Sequence, residues 1–161
     1  MSFFSFPAQV NEYAARCVAT GVIATLAVAA IFDQPWLFAV LAVGFLLRVG
    51  WGPRFSPLAR LAMAIAARVW TPKPVTGAPK RFAQGIGATC MISSTALFFT
   101  GHAVAAWSLA GLVAVFAFLE ASIAFCMGCT IYAQLQRWGV FPPDACVDCA
   151  PNAALSMPRA R

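Results

Sequence analysis

The sequence predicts an all-α membrane protein: a four-span helical bundle with an interfacial helix between spans two and three and a short cytoplasmic Cys-rich tail. Three observations predict it. Hydrophobic residues make up 61% of the 161 residues and charged residues 10%, against about 25% charged in soluble domains. The apolar residues gather into four stretches, too much greasy surface for a chain this short to bury by itself. Two of the three connections between those stretches carry no Lys or Arg at all. In lipid such stretches must be helical, because hydrocarbon offers no partner to an unpaired backbone group.

The first span is expected over residues 13–31. Arg16 followed by an apolar run ending near Ala27-Val28-Ala29 has some of the look of a secretory signal, but no basic cluster precedes it, so it reads as a retained span. The second span is expected over residues 36–50. Its apolar part, Trp36 to Leu47, is short for the roughly 20 residues a bilayer needs, so it must extend to Gly50 or lie among tilted neighbours. The third and fourth spans are expected over residues 82–100 and 103–125. Together these form a transmembrane domain over residues 1–135, leaving 136–161 as a tail. Small residues are dense in spans three and four (Gly85, Gly87, Ala88, Ala106, Ala110 and Gly111 among them). They let backbones approach closely, within one bundle or in a larger membrane complex.

Between spans two and three, "PLARLAMAIAARVW" (57–70) predicts a helix whose Leu58, Ala62, Ile65 and Val69 form one stripe, with Arg60 opposite. With no acidic residue, it suits the membrane interface; packing on the cytoplasmic ends of the spans is the plainer alternative. "TPKPVTGAPKR" follows, and its three prolines and one glycine predict a constrained loop.

Charge sets the expected orientation. Arg16 lies near the start of span one; Arg48, Arg54, Arg60, Arg68, Lys73, Lys80 and Arg81 lie around the connection between spans two and three; Arg137, Arg159 and Arg161 follow span four. With four spans, every one of these falls on one face, which the positive-inside rule makes cytoplasmic, together with both termini. The net charge of +6 is spread along membrane-flanking segments. It points to membrane lipids with anionic headgroups rather than to nucleic acid.

Six cysteines are present. Cys17 and Cys90 fall within spans and read as small apolar fillers. Cys126, Cys129, Cys146 and Cys149 form C-x2-C-x16-C-x2-C, a spacing that four-cysteine zinc sites share. Each pair can point both thiolates at one tetrahedral centre, with Gly139 and Pro142-Pro143 turning the chain between them. A reducing cytoplasm disfavours permanent disulfides, so the spacing suggests Zn or Fe bound by four cysteines, or a transient dithiol. Two arguments weigh against a reactive dithiol at Cys126 and Cys129: desolvation at the edge of hydrocarbon, and the partial negative charge at the C-terminal end of the fourth helix. A cation such as Arg16, Arg81 or Arg137 could reverse them.

"LEASIAFCMGCTIY" (119–132), followed by "CVDC", resembles the bacterial membrane family called domain of unknown function 4395. "VNEYAARCVATGVI", "PRFSPLARLA" and "GAPKRFAQGIG" are similar to other recurring stretches of that family, so the resemblance runs from about residue 10 to about residue 150. It implies a multi-span protein of the bacterial inner (cytoplasmic) membrane. Some members are encoded beside thioredoxin-like and sulfurtransferase proteins, which makes such proteins expected partners and raises thiol or sulfur chemistry by association. It assigns no catalytic residue.

Glu120 lies six residues before Cys126 and one or two turns below the cytoplasmic surface, where an ionisable group is costly. Arg16, at similar depth on span one, is the expected partner in an intramembrane ion pair, with Arg48 as a second option and Asn11 and Glu12 extending the network. Six residues is about 240° around a helix, so Glu120 reaches Cys126 only across an unwound turn, with Gly128 as the candidate position. His102, the single histidine, is expected in the opposite turn, away from the cysteines.

No Gly-rich phosphate loop, Ser-His-Asp set or carboxylate pair appears, so no nucleotide cofactor is expected. Scarce intramembrane polar residues argue against an aqueous channel and leave a transporter with little support. Two readings stand. One is a membrane-anchored thiol- or sulfur-handling protein with Cys126 and Cys129 as the catalytic dithiol and Cys146 and Cys149 as the pair it exchanges with. The other is a non-enzymatic accessory or scaffold whose tail is pinned by a four-cysteine metal knot.

Overall fold

The computed structural model describes residues 9–52 and 55–140. Among these lie six helices and a two-stranded ribbon: β1 (Gln9–Asn11), α1 (Glu12–Ile31), α2 (Leu37–Trp51), α3 (Pro57–Val69), β2 (Pro74–Thr76), α4 (Gly77–Phe99), α5 (Ala103–Ile123) and α6 (Met127–Arg137). Three helices, α1, α4 and α5, are long and apolar enough to cross a membrane, and α2 is apolar but only 15 residues long. Those lengths suggest membrane association.

α1 begins where Asn11 caps it: the Asn11 side chain accepts the Tyr13 N–H at 3.1 Å. α4 starts at Gly77, ahead of the position a proline-rich loop would allow. Pro79 sits in its first turn, where the missing N–H has no intrahelical acceptor to lose. The ribbon is the other departure from an all-helical reading. Val10 pairs with Val75 in antiparallel register and ties the start of α1 to the start of α4.

The core forms where α1, α2, α4 and α5 meet, around Val22, Leu26, Phe38, Leu41, Phe45 and Met91. Phe38 meets Trp107 edge to face at 4.8 Å, a favoured aromatic geometry. α3 packs on α1 through Leu58, Ala59, Ala62 and Ala66, so the Leu58–Ala62 half of the expected stripe is covered and the Ile65–Val69 half is not. Small side chains allow the closer approach, and Leu61, Ile65 and Val69 are left exposed. Tyr13 stacks on Trp70 at 5.4 Å, fixing the end of α3 beside the start of α1.

The fourth long helix is shorter than expected. α5 ends at Ile123 because Ala124 takes the left-handed conformation, with φ 57°. The Ala124 N–H bonds back to the Glu120 carbonyl at 3.1 Å and the Phe125 N–H to the Leu119 carbonyl at 3.3 Å, as left-handed helix caps do. A separate helix, α6, then starts at Met127 and lies against α4.

Candidate dithiol site at the α5–α6 break

The break puts Cys126 at the N-terminal cap of α6. Its Sγ accepts the Cys129 backbone N–H at 3.3 Å. That cap bond is normally made by an Asp, Ser or Thr oxygen. The sign of the helix field at this sulfur is therefore opposite to the expectation. Cys126 sits at the positive end of α6, not on a continuing fourth helix, so the field favours a thiolate.

Glu120 is paired with Lys80 from the first turn of α4, not with Arg16. Arg16 instead caps the end of α5: its Nε and Nη2 donate to the Ala121 carbonyl at 3.0 and 2.9 Å, and Nη2 to Ser122 at 2.8 Å. The physical reason is that the carbonyls ending α5 lack intrahelical donors, and a guanidinium fork satisfies two of them at once. Arg48 is also engaged elsewhere. Its Nε donates to Gln84 Oε1 at 2.7 Å and its guanidinium carbon lies 4.5 Å from the Phe45 ring centre, within cation–π range. Asn11 and Glu12 stay outside this network, Glu12 pairing with Lys73 at 2.8 Å.

Lys80 is the cation that acts on the thiols, in place of Arg16, Arg81 or Arg137. The Cys129 thiol, donating a hydrogen bond, holds Cys126 below the ordinary thiol value; Lys80 and the Cys129 N–H assist, against burial and the Glu120 carboxylate. The same bond, with burial and the Cys126 charge, pushes Cys129 up. The two titrate as a pair, with Cys126 as the first thiolate and Cys129 as the proton holder.

The unwound turn that Glu120 needs to reach Cys126 falls at Ala124, not Gly128. Gly128 serves packing. A Cβ there would lie 2.5 Å from Ala83 Cβ and 2.6 Å from Ala83 Cα, so only glycine lets α6 sit this close to α4. Phe82 and Tyr132, ring centres 5.6 Å apart, extend the same contact. Lys80 as the partner of Glu120 and the packing role of Gly128 are what sequence reasoning missed. A Pro-Lys-Arg sequence at a helix start was the available signal for the first.

An apolar cavity of about 170 Å³ lies among α1, α2, α4, α5 and α6, with Glu120, Cys126 and Gln84 on its wall. His102 sits at the far end of the bundle, 3.3 Å from Thr100 Oγ1. Cys17 and Cys90 are partly buried free thiols within α1 and α4. Cys146 and Cys149 lie outside the described residues. Among the described residues, no three His, Cys, Asp or Glu side chains converge as a metal site.

Residues 10–137 match the family described as "Domain of unknown function (DUF4395)". The match takes in Cys126, Cys129, Lys80 and Glu120 and ends with α6. No curated protein and no solved structure matches.

Proposed function

The chain belongs to the DUF4395 family, and we propose that it is a membrane-anchored thiol- or sulfur-handling protein, with Cys126 as nucleophile and Cys129 as resolving thiol. The observation that carries this reading is the pair's seat at the α6 N-terminus beside Lys80. Cys126 attacks a disulfide sulfur carried by a partner, forming a mixed disulfide and releasing one partner thiolate. Cys129 then attacks the Cys126 sulfur; the Cys126–Cys129 bond closes and the second partner sulfur leaves, the Cys129 proton passing to the released thiolate. A persulfide partner would instead leave its outer sulfur on Cys126. Cys146 and Cys149 form the second, exchanging pair, and thioredoxin-like or sulfurtransferase proteins are the matching partners.

In this reading the protein lies in the bacterial inner membrane with four spans, α2 being the short one. α2 has 15 residues. Its length is therefore roughly 22 Å, against a hydrocarbon core of about 30 Å. α3 lies at the interface, its exposed Leu61, Ile65 and Val69 supporting that position. Both termini and the cysteine pairs face the cytoplasm.

The spacing of the four cysteines favours one alternative: a non-enzymatic scaffold with structural Zn or Fe. Cys126 and Cys129 share one helix start, which is also how half of such a knot is built. Elemental analysis of the purified protein, beside thiol counting, separates the two. The thiol reading expects no stoichiometric metal and two thiols lost reversibly on oxidation. About one metal ion per chain, lost in a Cys126→Ser/Cys149→Ser variant, would establish the knot instead.

A further inference from the structure

The cavity beside Cys126 has features that a buried dithiol alone does not require. Its wall is apolar for most of its extent, formed by residues such as Val22, Phe45, Val113 and Phe116. Its volume is about 170 Å³. That is room for one six-membered ring, since apolar cavities of about 150 Å³ take up benzene. Leu112 and Ile131 line it and are also 46% and 40% exposed on the outer face, so it opens sideways, between apolar side chains. Cys126 itself is only 8% exposed. Its sulfur also adjoins this apolar space.

The polar groups on that wall are few. Gln84 is one, and its orientation is fixed by its bond to Arg48. The guanidinium can only donate, so the amide oxygen must face it, leaving the Nε2 donor as the other polar end of the side chain. Glu120, held by Lys80, and Cys126 are others.

We propose that this cavity binds the ring of a lipid-soluble quinone, which accepts the electrons of the Cys126–Cys129 dithiol. The inference rests on the thiol reading above. One S–S bond forms as the pair gives up two electrons; these and two protons, from the thiols or, where Cys126 is already ionised, one from water, pass to the quinone, whose two carbonyl oxygens become the hydroxyls of a quinol. The dithiol is restored by a reduced dithiol partner, the reverse of the exchange described above, whose own two sulfurs close to a disulfide. The donor of Gln84 suits one carbonyl oxygen, and the isoprenoid tail leaves past Leu112 and Ile131 into the bilayer.

The test uses the full-length protein, reduced, freed of reductant and placed in lipid nanodiscs with or without ubiquinone. Loss of two thiols per quinol formed, read by absorbance and mass spectrometry, is expected, with a rate at least ~10-fold lower in Ala117→Leu, which fills the cavity. Equal rates in both proteins would mean reaction from outside the cavity and would overturn the proposal. So would thiols that oxidise with a small soluble disulfide but not with quinone, which leaves the thiol reading standing; thiols inert to both would remove that reading as well. Because Ala117→Leu could disturb folding, an azidoquinone is photolysed in the wild-type protein in parallel. Label on the Leu112–Ala117 segment is expected, and label confined to other segments overturns the site.

Discussion

A carboxylate placed as deep as Glu120 needs a cation close by. Lys80 provides it, the two side chains being 13% and 17% exposed. Removing the lysine leaves the carboxylate desolvated and unpaired. Lys80→Met should therefore destabilise the protein by about 2 kcal/mol, below the full cost of breaking a buried pair because both groups keep some solvent contact. Adding Glu120→Gln to that variant should restore part of the loss, measured by thermal unfolding in detergent. The same lysine acts on Cys126, helping to hold its thiol below the ordinary value. Alkylation by iodoacetamide should therefore rise with pH through a midpoint below the ordinary thiol value of about 8.5. In Lys80→Met the thiolate loses a cation and the midpoint should move up, read site by site from peptide masses; an unmoved midpoint would remove Lys80 from the site's electrostatics.

The α5–α6 break is the element that sets Cys126 at a helix start, and its backbone invites two opposite substitutions. Ala124 carries a side chain in left-handed geometry, a conformation that glycine adopts without the Cβ clash. Ala124→Gly should stabilise the protein by about 1 kcal/mol. Gly128→Ala should do the reverse by about 1–3 kcal/mol, since the new Cβ meets Ala83 backbone rather than a movable side-chain tip. It should also slow Cys126 alkylation at neutral pH by pushing α6 away from Lys80. The three long helices were legible in the sequence because sustained hydrophobicity and length decide them locally, and the CxxC pair marked the candidate site. The break was not: "LEASIAFC" stays apolar and contains good helix formers, so nothing local stops the helix at Ile123. Packing of α6 on α4 provides the stop. Lys80 was hidden for a related reason, since prolines read as loop formers although Pro79 fits a first helical turn. Taking α5 as continuous to Phe125 also gave the helix field at Cys126 the wrong sign.

At the scale of the whole molecule, the number of crossings depends on α2, the 15-residue helix. If α2 crosses, the turn after α1 and the turn between α4 and α5 lie on the same side of the membrane; if it does not, they lie on opposite sides, whichever way the protein is inserted. Exposed Phe32 and His102 mark those two turns, and Arg68 on α3 reports the connection between α2 and α4. The basic residues decide the orientation as well as the count. Arg60 and Arg68 lie on α3, Lys73 just after it, and Lys80 and Arg81 at the start of α4, while the turns at Phe32 and His102 hold none. In intact cells an impermeant maleimide should therefore label Phe32→Cys and His102→Cys, and Arg68→Cys only after permeabilisation, with sites assigned by peptide mass. Labelling of Phe32→Cys and His102→Cys from opposite sides would put the starts of α1 and α4 on opposite sides too, where the β1–β2 ribbon and the Arg16 cap on α5 could not form, and would overturn this arrangement of the helices.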